Sequence, residues 1–182
     1  MRDIFISAGH SNDPKGDRGA QGVNGIWEGD LTIELRDLII GELNKLGVKV
    51  NIDNNRNALQ ATLSFFKSLI KSNSIAIDIH WNAFNGTAKG CEVIIPENPT
   101  VFEKNLASDI LNTICKTTLI VSRGVKTESQ TARKRLGWMR QPCETILIEV
   151  CFIDNRQDML LYNANKLKLA SNIANLIQKY LV

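Results

Sequence analysis

The chain has 182 residues, of which 43% are hydrophobic and 23% are charged, and its formal net charge is +3. These values are typical of one globular domain with a proper core, which we expect to span residues 1–182. The mild positive charge suits an anionic polymer but gives no reason to expect a nucleic-acid partner, and no apolar stretch approaches the roughly 20 residues of a membrane helix.

The first half of the chain alternates strand patterns with helix patterns. Residues 2–8 predict a strand, and residues 9–27, rich in Gly, Asn and Asp, predict a loop whose length indicates a functional role. Asp30 can cap the next helix, whose leucines recur at helical spacing until Gly47 ends it. A strand, a helix and a second strand are then predicted, over residues 48–52, 57–71 and 75–79.

The second half continues the alternation. A strand is predicted over residues 91–95, and a helix should follow with Asn98 as its cap and Pro99 at its first position. Residues 119–143 are mixed and basic and predict no regular element. The remaining predictions are a strand ending at residue 148, a short helix capped by Asn155, and a final helix over residues 164–181. This order indicates an α/β fold with a mainly parallel sheet.

Both histidines of the chain, His10 and His80, directly follow apolar strand patterns, and so does Glu149. In open α/β sheets the ligand crevice lies just outside the carboxyl ends of the strands. Three side chains able to bind metal or transfer protons at one such end are what a hydrolytic metal centre needs. The alternative is that each histidine is an ordinary residue, either hydrogen-bonded within the protein or exposed at the surface.

A zinc centre in a hydrolase usually has three protein ligands and one open position for water. Only His10 and His80 can supply imidazoles, so the third ligand must be a carboxylate. Glu28 ends the glycine-rich loop and could fold back opposite His10. Spacing alone does not choose between Glu28 and three aspartates of the same region, Asp13, Asp17 and Asp30.

Four segments carry a resemblance to a known family. They are residues 6–10 (Ile-Ser-Ala-Gly-His), residues 17–22 followed by Trp27-Glu28, residues 77–83 around His80, and Pro142 followed by residues 146–155 around Glu149. Together, in this order and spacing, they resemble the zinc-dependent N-acetylmuramoyl-L-alanine amidases of the amidase-3 family. The resemblance covers the chain from residue 3 to about 181.

The resemblance implies a fold, a site and a reaction. The fold would be a single-domain α/β fold, a twisted, mainly parallel β-sheet with helices on both faces. His10, Glu28 and His80 would hold one Zn²⁺, and Glu149 would be the catalytic acid/base. The reaction would be hydrolysis of the amide between N-acetylmuramic acid and L-alanine, with bacterial peptidoglycan as the substrate.

One departure from the family pattern lies beside the second histidine. Asp78 stands where the family usually has a small hydroxyl residue, and it would share a strand face with His80. It can orient that imidazole as a hydrogen-bond acceptor behind the metal. The equal alternative is a solvated strand residue.

Substrate contacts are expected from a basic segment and from the second-histidine motif. The resemblance places Arg123 and Lys126 near the stem peptide, whose carboxylates a basic rim would attract, and we add Asn82 as a third candidate. The alternative is a solvated basic loop, which we prefer for the neighbouring cluster of residues 133–135.

The four cysteines form no C-x-x-C pair and predict reduced, mostly buried thiols of a protein made in the cytosol. The alternatives are a structural zinc site or a disulfide framework. Cys151 lies two residues after Glu149, so in a regular strand it would face the same side and could line the site.

The biological role follows from the amino terminus, which runs into a strand without a secretory leader pattern. We therefore expect a phage or prophage endolysin, made in the cytoplasm and released to the wall by a holin, with no separate cell-wall-binding domain. The runner-up is a bacterial amidase represented by its catalytic domain. The other functions considered are a zinc peptidase on stem peptides and a catalytically silent wall-binding module.

Overall fold

Six strands and four α-helices form the regular structure of residues 2–56 and 58–182, which this computed structural model describes. The strands are β1 (Ile4–Ala8), β2 (Val50–Ile52), β3 (Ile75–Asn82), β4 (Cys91–Ile95), β5 (Ser122–Thr127) and β6 (Glu144–Phe152). The helices are α1 (Glu28–Lys45), α2 (Leu59–Leu69), α3 (Val101–Thr118) and α4 (Arg156–Tyr180). No helix of these residues is both long and apolar enough to cross a membrane.

The strands form one sheet in the order β2-β1-β3-β6-β4-β5. Strands β1, β2, β3 and β6 are mutually parallel, whereas β4 runs antiparallel to β6 and parallel to β5. The carboxyl ends of β1, β3 and β6 therefore meet at one end of the sheet, beside the amino ends of β4 and β5. The predicted α/β fold with a mainly parallel sheet is confirmed.

Helices cover both faces of the sheet. Successive side chains of a strand point to opposite faces, so one strand can pack against helices on both sides. On one face, Ile4 and Ile6 pack in a large cluster with residues of α1, α3 and α4. On the other face, Phe5 packs in a second cluster with Phe66 of α2 and with Trp138. Burial on both faces explains why the strands are apolar almost throughout.

Helix α3 begins later than predicted, at Val101. The side chain of Thr100 accepts a hydrogen bond from the Glu103 backbone N–H, and the Glu103 carboxylate accepts one from the Thr100 N–H. This reciprocal capping box satisfies two free backbone donors at once. Asn98 and Pro99 therefore precede the helix, and the predicted cap was wrong.

Two other elements differ from the prediction. The short helix and the final helix predicted near the carboxyl end are one 25-residue helix, α4, which is capped by Asn155. Strand β5 lies in the segment for which no element was predicted. It is an edge strand with Gly124 and basic residues, so it lacks the apolar alternation by which strands are recognised. The helix predicted over residues 57–71 is α2, and residue 57 itself lies outside the described residues.

Candidate metal centre

His10, Glu28 and His80 converge at the carboxyl end of the sheet. One potential ligand atom of each lies within 4.8 Å of those of the other two. The Glu28 Oε1 atom is 3.4 Å from His10 Nε2 and 3.1 Å from His80 Nδ1. The three side chains predicted to form a metal site are thus neighbours, and a carboxylate oxygen lies between the two imidazoles.

The long loop before α1 brings Glu28 to the histidines. The Glu28 backbone N–H donates to the Ala20 carbonyl, and the Gly29 N–H donates to the Arg18 carbonyl. Helix α1 consequently begins at Glu28, after Trp27 as its N-cap, and not after Asp30 as predicted. Glu28 is 4% exposed and points inward from the first helical turn.

Two glycines leave room for this convergence. A Cβ atom on Gly9 would lie 2.1 Å from His80 Nε2, so the backbone before His10 has to pass directly over that ring. A Cβ atom on Gly19 would lie 2.4 Å from Glu28 Oε2, and Gly19 also has a φ of +71°, which glycine adopts most easily. Close packing at the site therefore explains part of the glycine content of the loop.

The competing aspartates of the loop region are placed less favourably. Asp17 Oδ1 lies 3.3 Å from His10 Nδ1, but the Asp17 side chain is 74% exposed. Asp30 pairs with Arg18 at the surface, and the Asp13 carboxylate accepts from the Lys15 backbone N–H. Among the acids that spacing left open, Glu28 alone is buried between the two imidazoles.

Glu28 is held as an anion. Burial opposes its ionisation, but the hydrogen bond to His80 and the proximity of both histidines lower the pKa of Glu28 overall. Its Oε1 atom also accepts from the Trp81 backbone N–H at 3.0 Å, and its Oε2 atom accepts from the Ala20 N–H at 3.0 Å. These bonds fix the carboxylate in place.

Asp78 contacts the second histidine from the opposite side. Its Oδ2 atom lies 3.1 Å from His80 Nε2, and its side chain is almost completely buried. Burial lowers the pKa of His80, but the carboxylates of Asp78 and Glu28 together raise it well above its usual value. The imidazole is thus oriented between two acids, with Nδ1 turned towards Glu28.

These residues fit a divalent cation. Two imidazoles and one carboxylate form a ligand set that zinc takes in hydrolases. The ligand atoms of His10, Glu28 and His80 already lie close together in the absence of an ion. The Asp78 Oδ1 atom and the Glu149 Oε2 atom are buried without a hydrogen-bond partner in the described residues. A site with converging donors and excess negative charge is what a bound cation would complete.

Glu149 lies next to this centre on β6. It is the register partner of His80 on β3 and of Glu92 on β4. Burial raises the pKa of Glu149 to about 8, and Glu28 and Glu92 contribute to the same direction, while His80 opposes it. The pKa of Glu28 is lowered and that of the neighbouring Glu149 is raised. Neighbouring carboxylates whose pKa values shift in opposite directions are typical of acid/base sites.

Glu92 is a functional candidate that was not predicted from the sequence. It is 7% exposed and accepts hydrogen bonds from Asn82, Arg123 and Lys126. Burial opposes its ionisation, but these donors lower the pKa of Glu92. The signal in the sequence that could have identified Glu92 is that it is the one charged residue of the otherwise apolar strand β4.

The three predicted substrate residues therefore meet at one carboxylate beside Glu149. Arg123 also lies over the Phe152 ring, 5.0 Å from its centroid, and its side chain is 37% exposed. Arg123, Lys126 and Asn82 thus surround Glu92, the register partner of Glu149. Residues 133–135 are exposed on a separate segment.

Cys151 does not line the site, contrary to the sequence expectation. It is completely buried in the core on the other face, with its Sγ atom 3.9 Å from Met159 Sδ. An irregularity in the β3–β6 register, between the pairs His80–Glu149 and Asn82–Phe152, shifts the alternation after Glu149. A regular two-residue period could not predict this bulge.

A histidine–glutamate–histidine centre at the carboxyl end of an α/β sheet is an arrangement typical of metal-dependent hydrolases. The family model described as N-acetylmuramoyl-L-alanine amidase (Amidase_3) matches residues 4–179. The chain belongs to this family and is an amidase of peptidoglycan, as the resemblance predicted.

Solved structures show the same fold. Cwp6 from Clostridium difficile is 23% identical with a TM-score of 0.83, and the match covers 100% of this chain and 29% of that chain. The amidase AmiC2 of Nostoc punctiforme is 22% identical with a TM-score of 0.77, covering 99% and 97%. The catalytic domain of the CD27L endolysin targeting Clostridia difficile is 24% identical with a TM-score of 0.72, covering 100% and 97%. A comparison with curated proteins finds no match.

Proposed function

We propose that this amidase holds one Zn²⁺ through His10, Glu28 and His80 and hydrolyses the amide between N-acetylmuramic acid and L-alanine. The observation that carries the proposal is the convergence of three ligand atoms within 4.8 Å, with Glu149 in register beside His80. Family membership supports the reaction, and the donor set supports the metal.

Bound zinc would polarise the amide carbonyl and make a water molecule a better nucleophile at neutral pH. Glu149 would take a proton from the attacking water as the new carbon–oxygen bond forms. It would then give a proton to the alanine nitrogen as the carbon–nitrogen bond breaks. Without a metal ion, burial raises the pKa of Glu149 to about 8. The positive charge of bound zinc would lower this pKa towards neutrality, where the group can both accept and donate a proton.

The products released from purified peptidoglycan test this function. We expect stem peptides with a new L-alanine amino terminus, glycan strands that keep intact muramic acid, and loss of activity with a chelator that zinc restores. Cleaved cross-bridges would instead indicate a peptidase. Binding without products would indicate a silent wall-binding module.

Asp78 should strengthen metal binding through His80. The Asp78→Asn variant keeps the shape but weakens the acceptor that orients the imidazole, so we expect zinc affinity to fall about 10–100-fold. Competition with a chromogenic chelator measures this. The control is Asp158→Asn, another buried acid, whose partners are the Gly90 and Phe152 backbone N–H groups. Equal zinc affinities for wild type and Asp78→Asn would contradict the role.

Arg123 and Lys126 should bind a substrate carboxylate. We expect Arg123→Gln and Lys126→Gln each to raise KM about 10–100-fold with a smaller change in kcat, because charge-assisted hydrogen bonds contribute about 1.5–3 kcal/mol. Initial rates on soluble muropeptides check this. Arg133→Gln removes an exposed charge on residues 133–135 and is the matched control. If Arg133→Gln raised KM by the same factor, the two residues would act only through the general attraction between a basic surface and an anionic substrate, and the proposed carboxylate contact would be wrong.

The cellular role that we favour is that of a phage or prophage endolysin, made in the cytoplasm and released to the wall by a holin. The likeness to the CD27L endolysin domain supports this role. The alternative is the catalytic domain of a bacterial amidase. Induced expression in a susceptible bacterium tests the role, with lysis expected only when a holin is co-expressed. Lysis without the holin would contradict it.

A further inference from the structure

Two cysteines lie side by side on neighbouring elements. Cys91 begins β4 and Cys115 lies near the end of α3, and their Sγ atoms are 3.3 Å apart. The other two thiols have different neighbours, since Cys143 Sγ faces the Glu144 carbonyl and Cys151 Sγ faces Met159. All four are free thiols in this structure.

We propose that Cys91 and Cys115 form an intramolecular disulfide when the protein meets a small oxidising disulfide outside the reducing cytosol. A rotation of the two side chains must bring the sulfurs from 3.3 Å to the roughly 2.05 Å of a disulfide. The bond would close a loop between positions 24 residues apart and join α3 to β4. In the cytosol the pair stays reduced, as predicted from the sequence.

The different exposures of the two thiols set the order of the reaction. Cys115 is partly exposed and Cys91 is completely buried, so Cys115 reacts first. Its thiolate attacks one sulfur of glutathione disulfide, the disulfide bond breaks, and one glutathione thiolate leaves. Cys91 then loses its proton and attacks Cys115 Sγ, which expels the second glutathione. Two protein thiols are oxidised by two electrons, and one glutathione disulfide is reduced to two thiols.

The second step is the slower one. Burial and the hydrogen bond with Cys115 raise the pKa of Cys91, so few Cys91 thiolates are present at neutral pH. The short sulfur–sulfur distance offsets this, because an attack between neighbouring groups has a high effective concentration. Cross-linking should therefore proceed to completion over hours and stop at one pair.

The position of the bond gives it a consequence for the enzyme. Cys91 packs in the core on the face that α3 covers, whereas the next residue, Glu92, points to the opposite face and holds Arg123 and Lys126. The disulfide would thus link the start of β4 to α3 on the sheet face opposite to Glu92, and it would not contact the site. We expect a more stable folded enzyme with nearly unchanged kcat.

Tryptic mapping tests the pair directly, because the cleavage sites separate the thiols. Cys91 lies in the peptide of residues 90–104, Cys115 in the peptide of residues 105–116, and the other two share the peptide of residues 141–156. The folded protein is incubated with glutathione disulfide, its remaining thiols are alkylated, and it is digested without reductant. We expect a cross-linked species of the first two peptides, a fall in free thiols from four to two, and a melting temperature raised by about 5 °C or more.

Matched serine variants complete the test. Cys115→Ser should lose the cross-linked species and the rise in melting temperature, whereas Cys143→Ser should keep both. Four alkylated thiols after oxidation, a glutathione adduct that persists on Cys115, or cross-links to the peptide of residues 141–156 would each overturn the proposal. None of these readouts requires zinc or hydrolysis, so they are independent of the proposed function.

Discussion

Glu149→Gln should nearly abolish hydrolysis while the protein stays folded and binds zinc. The glutamine keeps the size of the side chain but cannot shuttle a proton between water and the leaving amine. General acid/base groups contribute about 10²–10⁴-fold, so we expect a loss of that order. The release of stem peptides with new L-alanine amino termini measures the rate.

The controls separate this chemical effect from a structural one. Zinc content and melting temperature of Glu149→Gln should match or exceed those of the wild type, because the change removes a carboxylic acid that burial makes difficult to ionise. Glu144→Gln alters a glutamate at the other end of the same strand, where its side chain contacts Thr100. That variant should keep full activity. Wild-type activity in Glu149→Gln would contradict the assigned role.

Glu28→Gln should remove both metal and activity. The glutamine has the same shape, but it lacks the negative charge that lies between the two imidazoles. It also has one acceptor oxygen where the carboxylate uses two, so the Ala20 or Trp81 N–H loses its partner at a cost of about 1–3 kcal/mol. We expect zinc per chain to fall from about one to near zero.

Asp30→Asn is the matched control for this change. Asp30 lies in the same first turn of α1 but pairs with Arg18 at the surface. Elemental analysis after dialysis against trace zinc should find normal metal in Asp30→Asn and almost none in Glu28→Gln. The ligand assignment is wrong if Glu28→Gln retains a full complement of zinc, or if Asp30→Asn loses it.

The strand-end residues could be predicted from the sequence because their position depends on a simple rule. His10, His80 and Glu149 follow apolar strands, and the carboxyl ends of parallel neighbours meet. The contact between Asp78 and His80 follows from the same regularity, since residues two apart share a strand face.

The third ligand could not be chosen from spacing. Glu28 reaches the histidines because backbone hydrogen bonds fold the loop back and because Gly9 and Gly19 leave room for the side chains. These are tertiary contacts, and no local pattern encodes them. Only the family resemblance distinguished Glu28 from the nearby aspartates.

Glu92 and β5 were missed for a related reason. Strand β4 runs antiparallel to β6, which brings Glu92 beside Glu149, and the strand pattern does not reveal this reversal. Strand β5 lies at the edge of the sheet and carries Arg123 and Lys126, so its sequence resembles that of a basic loop. Substrate residues on such an edge are recognised only once the pairing is known.

X-ray diffraction from crystals soaked with zinc, measured at the zinc absorption edge, tests the central claim most directly. The account predicts one anomalous peak within about 2.0–2.2 Å of one nitrogen each of His10 and His80 and of a Glu28 oxygen, with Glu149 close by but not a required ligand. No peak at this position, or an ion bound by other residues with these three turned away, would contradict it.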